Sequence, residues 1–491
     1  MTRSDLPPRT DVLIIGAGMS GLAMGRQLKR AGHENLVIAE RADGPGGVWR
    51  ANAYPGAACD VPSHLYSYSF FPNPDWSRKF APQGEIKAYF ERASVKFGLD
   101  PHIHYGRSVR ELIYDADVGR WKVRFEDGAQ LEARVVISAV GQLSEPFSPS
   151  FDGQEAFKGR IVHTAEWTPD IDMTGKRVVM IGSAASAIQV LPHAAKAASE
   201  LTVFQRTPNW VIPKPDRAFT PVEKWLFRHM PGYHWLYRMG SFALHESRWP
   251  AFRSGGLAAA YTRHRLSRRI RAEVQDPALL EKVLPDYAPG CKRILLSNDF
   301  FSTLAQSHVE LVTDGVQRFT ADGVKTGEGE EIKANLVILA TGFKASEFLP
   351  SLDVTGRDGQ SLAAVWGDSP TAYKGVAMNG FPNLFTLYGP NTNLGHNSII
   401  FMIERQTEFI RRQVVRLFRE NARSMEVRPE AQAAYNADLQ NRLEGTVWAG
   451  DCPSWYKSPD GIIVNNWSGP ASRYAWSVSG QEREAFDLER A

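Results

Sequence analysis

Two short glycine-rich turns are the first residues in this sequence whose types and spacing suit chemistry. Val12-Leu13-Ile14-Ile15 runs into Gly16-Ala17-Gly18-Met19-Ser20-Gly21 and then into a helical pattern from Leu22 to Lys29. In such a strand–turn–helix unit the first glycine makes the tight turn and the second lets backbone approach a pyrophosphate. The third lets helix and strand pack closely, and Gly16, Gly18 and Gly21 fill the three places. A second unit runs from Arg177 through Ile181 into Gly182-Ser183-Ala184-Ala185-Ser186-Ala187, with Ala184 in place of the central glycine. A methyl group is the smallest intrusion a side chain can make there.

Each unit continues into another strand-like run that ends on a charged or polar position. Leu36-Val37-Ile38-Ala39 ends in Glu40, 24 residues after Gly16; Leu201-Thr202-Val203-Phe204 leads to Gln205-Arg206-Thr207, with Arg206 24 residues after Gly182. One structural position thus holds an acid in the first copy and a cation in the second. An acid there accepts the free ribose hydroxyl of FAD or NAD, whereas an arginine accommodates the 2′-phosphate of NADP. The first site is expected to take FAD, non-covalently, and the second NADPH. A ligand-free turn and a solvated surface arginine are the plainer alternatives. Two further runs, Val135 to Gly141 and Leu336 to Phe343, end in similar small-residue exits and suit strands at which the chain crosses between two nucleotide domains.

Longer strings are more specific. Phe157-Lys-Gly159-Arg-Ile-Val-His163-Thr-Ala-Glu-Trp167 fits FxGxxxHxxxW, and Gly46-Gly47-Val-Trp49, Tyr54-Pro55-Gly56 and Asp60 fit [AG]GxWxxxx[FY]P[GM]xxxD. With Phe204 to Trp210, Gly290-Cys291-Lys292-Arg293, Gly389 to Asn397 and Ser454-Trp455-Tyr456, these resemble the type I Baeyer–Villiger monooxygenases over nearly the whole chain. Thr168 stands where that pattern commonly continues with Pro or Asp. The related heteroatom-oxidising flavin monooxygenases usually carry Tyr or Phe where Trp167 stands.

The resemblance implies an enzyme that uses NADPH, FAD and O2 to insert one oxygen atom beside the carbonyl of a small ketone, giving an ester or lactone. A C4a-peroxide on the flavin must stay anionic to attack the carbonyl, and a cation beside it favours that state. By match to the family strings that cation is Arg293, oriented by the Asp60 carboxylate. Lys292 is a second contact to the 2′-phosphate, Trp455 touches the nicotinamide ribose, and Gly47, Trp49, Asn391, Ser183 and Thr207 belong to the cofactor sites. Phe157, Gly159, His163 and Trp167 are assigned to the hinge between domains, not to proton transfer. Gly395 to Ser398 leads into a helical pattern, Ile399 to Arg419, whose N-terminus would face the flavin; simple capping by Asn397 or Ser398 is the alternative. The rival functions are oxidation of sulfur or nitrogen on the same architecture, and a non-catalytic flavin-binding sensor.

These residues need two doubly wound α/β dinucleotide-binding domains to position them. The expected FAD domain is 1–150 with 380–491, and the NADPH domain is 151–215 with 289–379. A mainly helical insert, 216–288, covers the active site and shapes the substrate pocket. Its aromatics are numerous; Tyr233, Leu236 and Tyr237 suit one helical face, and Leu266, Ile270 and Val274 another. A basic amphipathic surface touching a membrane is its second reading. With 43% hydrophobic and 23% charged residues and a formal net charge of +3, the chain lacks the basic excess of a nucleic-acid binder. Cys59, Cys291 and Cys452 form no CxxC pair, which argues against metal, disulfide or thiol redox chemistry and for a reducing compartment. With no apolar signal core and no spanning run, the expectation is a cytoplasmic protein without membrane contact.

Overall fold

The computed structural model of the chain describes residues 6–349, 351–452, 454–480 and 482–490. The apolar run before the first turn forms the strand Arg9–Ile15, paired in parallel with Leu36–Glu40, so that Val12 lies beside Leu36 and Ile15 beside Ala39. Helix Met19–Arg30 between them buries Leu22, Met24 and Leu28 against the sheet. Strands covered on both faces read as continuous apolar runs, which is why periodicity of two is missing here. The sheet has eight strands. Its order is Asp353–Thr355, Val109–Asp115, Arg120–Phe125, Gln130–Ser138, Arg9–Ile15, Leu36–Glu40 and Ile103–Tyr105, with Leu384–Thr386 also on Gln130–Ser138.

The second turn opens a five-stranded parallel sheet in the order Val309–Val312, Glu200–Phe204, Arg177–Ile181, Leu336–Leu339, Arg160–His163. Helix Ala185–Ala197 follows the turn and continues through Pro192. The two sheets are joined where the small-residue exits meet. Pro146 bridges to Phe343, the Phe147 N–H donates to the Gly342 carbonyl at 2.9 Å, and Thr341 Oγ1 donates to the Phe147 carbonyl at 2.5 Å. Because Asp353–Thr355 pairs with Val109–Asp115, the chain rejoins the first sheet earlier than the expected boundary at 379.

The insert is helical: Pro221–His229, Tyr233–Glu246, Leu257–Glu273 and Pro277–Val283. Its first half seats on the first unit, where Phe219 and Phe227 join the core and Arg238 donates to the carbonyls of His64 at 2.6 Å and Ser67 at 2.8 Å. Its second half seats on the other unit through Ile270, Val274, Leu279 and Val283. Tyr233 and Tyr237 share the inward face, but Leu236 does not and is 62% exposed. The buried positions of that helix are Arg238 and His245, so the inward stripe is centred on polar residues that a hydrophobicity pattern cannot mark. No helix among the described residues is long and apolar enough to cross a membrane.

Candidate active site

Both glycine turns are tucked under the exits of neighbouring strands. Gly16 has φ +105, and a Cβ there would stand 2.8 Å from the Ala139 carbonyl oxygen; Gly182 has φ +111, with the Ala340 oxygen 2.4 Å from a Cβ. Any side chain would be strained and would collide with backbone at either place. Gly18 and Gly47 face each other across the first cleft, a Cβ on Gly47 falling 3.0 Å from the Gly18 Cα. Backbone therefore lines the space on both sides, which suits a pyrophosphate. Gly21 packs helix onto turn. Buried Glu40 is fixed at its strand end by the Ala17 N–H, 2.6 Å from Oε2, and the Ala42 N–H, 2.8 Å from Oε1. Each oxygen keeps lone-pair capacity for a ribose hydroxyl. Trp49 lies alongside and donates from Nε1 to the Tyr66 hydroxyl at 3.1 Å. These residues fit an FAD.

In the second cleft Arg206 is exposed and Ser183 is buried, with Asn209 Nδ2 donating to the Ser183 carbonyl at 3.0 Å and to Oγ at 3.1 Å. Lys292 has its pKa lowered by burial and then by the charge of Arg206. The fold thus brings together two cations that the sequence separates widely. Thr207, Lys292 and Tyr287 line a cavity of about 440 Å³. Lys292 feels the charge of Arg206, and two like charges near enough to interact favour a dianion between them, which fits the 2′-phosphate of NADP.

Arg293 follows Lys292 directly and points the other way. Its Nε and Nη2 both donate to Asp60 Oδ2, at 2.8 and 2.6 Å. The Asp60 charge, opposed by burial, raises the guanidinium pKa further above its ordinary value. Nη1 has no protein acceptor among the described residues. Asp60 is itself positioned from the second unit: Gln189, on helix Ala185–Ala197, accepts from the Tyr54 hydroxyl at 3.0 Å and donates to the Ala58 carbonyl at 2.9 Å. The YPG string therefore lies at the seam between the two units, a few residues before Asp60. Cys59, Tyr66 and Tyr456 are buried around the pair and Tyr388 partly buried, and desolvation lifts all four pKa values, that of Tyr456 to about 12. Sequence reasoning passed over Gln189 and these tyrosines. Tyr456 stood in a string already singled out, beside Trp455, and only its neighbour received a role.

The remaining site residues divide. Trp455 is 37% exposed, its ring 4.4 Å from that of Tyr456. Asn391 is buried, and its amide donates to the Ile463 carbonyl at 2.6 Å and the Asn466 carbonyl at 3.2 Å. With both amide hydrogens engaged it is a staple between two loops and has none left to donate to a cofactor. His163 is buried at the end of its strand, beside Leu339 and facing Phe343, with Nδ1 accepting from the Ala165 N–H at 3.0 Å. It therefore sits at the crossing, as a hinge residue would. Phe157 and Trp167 are buried in the second unit, and a Cβ at Gly159 would strike the Phe157 ring at 2.4 Å. Helix Ile399–Arg419 has no side-chain cap at Ser398, and the Phe401 N–H turns back onto the Ser398 carbonyl at 3.2 Å, so the Ile399 and Ile400 N–H groups receive no side-chain cap.

The cysteine expectation is overturned. Cys291 and Cys452 form a disulfide, with Cα atoms 6.4 Å apart and 161 residues between them in sequence; Cys59 is the free, buried one. Both bonded cysteines line the same cavity as Lys292 and Thr207. Packing of residues 447–452 on the Gly290–Arg293 turn brings them together, helped by Trp448 Nε1 donating to the Gly290 carbonyl at 2.9 Å. Local spacing carries no trace of such a pairing.

The family profile described as flavin-binding monooxygenase-like matches residues 9–230. A Baeyer–Villiger monooxygenase of Pseudomonas aeruginosa is 41% identical over 479 residues, which cover 97% of this chain and 91% of that protein. An oxidised steroid monooxygenase bound to NADP superposes with a TM-score of 0.87 at 31% identity, covering 98% of this chain and 100% of the other. An OTEMO complex with FAD and NADP does so with a TM-score of 0.89 at 26% identity, over the same shares.

Proposed function

The chain belongs to the Baeyer–Villiger monooxygenases, and on that premise we propose how its own residues divide the work. It is a flavin-dependent, NADPH-dependent monooxygenase that acts with O2 on a ketone. Atoms balance as ketone, O2, NADPH and a proton giving an ester or lactone, NADP⁺ and water. Bound FAD supplies the redox chemistry, taking hydride from NADPH and activating oxygen.

The protein residues bind, orient and hold charge. Glu40, Gly16 and the Gly18–Gly47 cradle seat the flavin nucleotide; Arg206 and Lys292 read the 2′-phosphate, and Thr207 and Ser183 line the approach. Trp455 and Tyr456 bound the nicotinamide side. Arg293 presents a fixed positive charge to the reacting oxygen, favouring its anionic form in a site walled by buried tyrosines. Asp60 holds that guanidinium in place through one carboxylate oxygen. The N-terminus of helix Ile399–Arg419 would favour negative charge on a flavin ring held near it. His163 is assigned to the crossing between the two sheets, as a hinge residue.

The observation that carries this reading is the Arg293–Asp60 pair. Two guanidinium N–H groups are spent on one oxygen while Nη1 is left unengaged. A small-molecule ketone is the proposed substrate, and the experiment is a product assay over ketones and sulfides with NADPH. Esters or lactones in proportion to NADPH consumed are expected. Sulfoxides alone, with ketones returned unchanged, would overturn the assignment of substrate class.

A further inference from the structure

The helical insert carries an apolar stripe that faces away from both units and is left uncovered. On helix Tyr233–Glu246 the buried side carries Arg238 and His245, while the outward side carries Trp235, Leu236, Met239, Ala243 and Leu244 at spacings of three and four. Trp235 is 61% exposed and Leu244 57%. No charged residue interrupts that stripe. The preceding helix, Pro221–His229, adds exposed Trp225, and the following one, Leu257–Glu273, opens with Leu257 at 91% exposure. An exposed apolar stripe of this extent, uninterrupted by charge, marks a surface that something else covers.

Charge identifies what would cover it. Helix Leu257–Glu273 continues with exposed Arg263, Arg265, Arg268, Arg269 and Arg271 against a single acid, Glu273. It packs on the short turn Trp249–Phe252 that follows the apolar helix, so the apolar helix and the arginine-rich helix are neighbours in the insert. Tryptophan with leucine beside clustered arginine is what the headgroup boundary of an anionic bilayer accommodates: rings and aliphatic chains at the acyl edge, guanidinium groups on phosphates. A second copy of this chain on the same patch would bring its own arginines to the contact, which repels. We propose that the outer face of the insert docks on an anionic membrane surface. Such docking needs no spanning helix, none being present among the described residues, and it matches the second reading of the insert given by its sequence. The inner faces of the same insert bridge both nucleotide units, and a lipid-dissolved ketone would reach the enzyme from that side. The inference concerns where the enzyme works and is independent of the roles assigned to Arg293 and Asp60.

The test uses the FAD-loaded enzyme and vesicles of phosphatidylcholine, with or without phosphatidylglycerol, in flotation assays and by tryptophan fluorescence. Binding is expected to the vesicles containing phosphatidylglycerol, with a blue-shifted emission. It should weaken at least about tenfold as salt rises from about 0.1 M to about 1 M, which shortens the screening length from about 10 Å to about 3 Å. Trp235→Ser/Leu236→Ser/Leu244→Ser should lose vesicle binding by at least about tenfold, while keeping flavin content and turnover of a water-soluble ketone. Arg265→Glu/Arg268→Glu should lose at least as much, since each surface arginine contributes about 1 kcal/mol at an anionic leaflet. An enzyme that stays unbound with both vesicle types would overturn the proposal. So would a dimer in sedimentation velocity that the triple variant disperses, because the patch would then belong to a second copy.

Discussion

Replacing Arg206 by alanine should convert the second cleft from a phosphate reader into a site indifferent to the 2′ position. Arg206 and Lys292 lie close enough that the first lowers the pKa of the second, so a 2′-phosphate relieves that repulsion as well as gaining two charge-assisted contacts. One such contact is worth about 1.5–3 kcal/mol. At about 1.4 kcal/mol per factor of ten, Arg206→Ala should raise the NADPH constant roughly 10- to 150-fold. The constant for NADH should move less than about twofold. Lys292→Ala should act in the same direction, and the double variant should cost less than the sum, because losing either cation removes the repulsion felt by the other. Anaerobic stopped-flow titration of flavin reduction with each coenzyme reads the effect before oxygen enters. An equal shift for both coenzymes, or none for NADPH, would refute the reasoning that joins the two cations to the phosphate.

Three further outcomes follow from single features. Gly182→Ala places a methyl group 2.4 Å from the Ala340 oxygen at φ +111, so NADPH binding should fall at least about tenfold while the flavin, bound in the other unit, stays at full occupancy by absorbance. Burial and Arg206 lower the Lys292 pKa, so its charge is complete below that pKa and lost above it. The NADPH constant should therefore rise with pH earlier than an ordinary lysine dictates, and Lys292→Arg should flatten the profile. Reducing Cys291–Cys452 should cost about 2–5 kcal/mol, read as a lower melting temperature with dithiothreitol; a Cys291→Ser/Cys452→Ser variant that still responds to the reductant would show that the effect lies elsewhere.

What the sequence made legible was local or repeated. The glycine turns could be read because strand, turn and helix are contiguous, and Glu40 and Arg206 because equal offsets put them at equivalent places in two copies of one fold. Long-range contacts were not legible from the residues alone. Arg293 and Asp60 could be joined only through family resemblance, since nothing local links them. The Cys291–Cys452 bond depends on how the C-terminal segment packs on the Gly290–Arg293 turn, and absence of CxxC says nothing about that. Asn391 shows a different limit: its motif was visible, but its amide is taken up by the Ile463 and Asn466 carbonyls. Leu236 was put on the wrong face because a buried arginine and histidine, not apolar residues, define the inward side of its helix.

The central claim is that Arg293, held by Asp60, supports oxygen insertion and not flavin reduction. The direct measurement compares Arg293→Ala with the parent enzyme for flavin bleaching by NADPH, ketone product and hydrogen peroxide in the same preparation. The account predicts that the variant still binds FAD and is still reduced by NADPH. Its product formation should fall at least about a hundredfold, the scale for losing one fixed electrostatic stabiliser, with hydrogen peroxide appearing in proportion to NADPH consumed. Asp60→Ala should move the same way but less far. An Arg293→Ala enzyme that converts ketone at the parent rate would contradict the account.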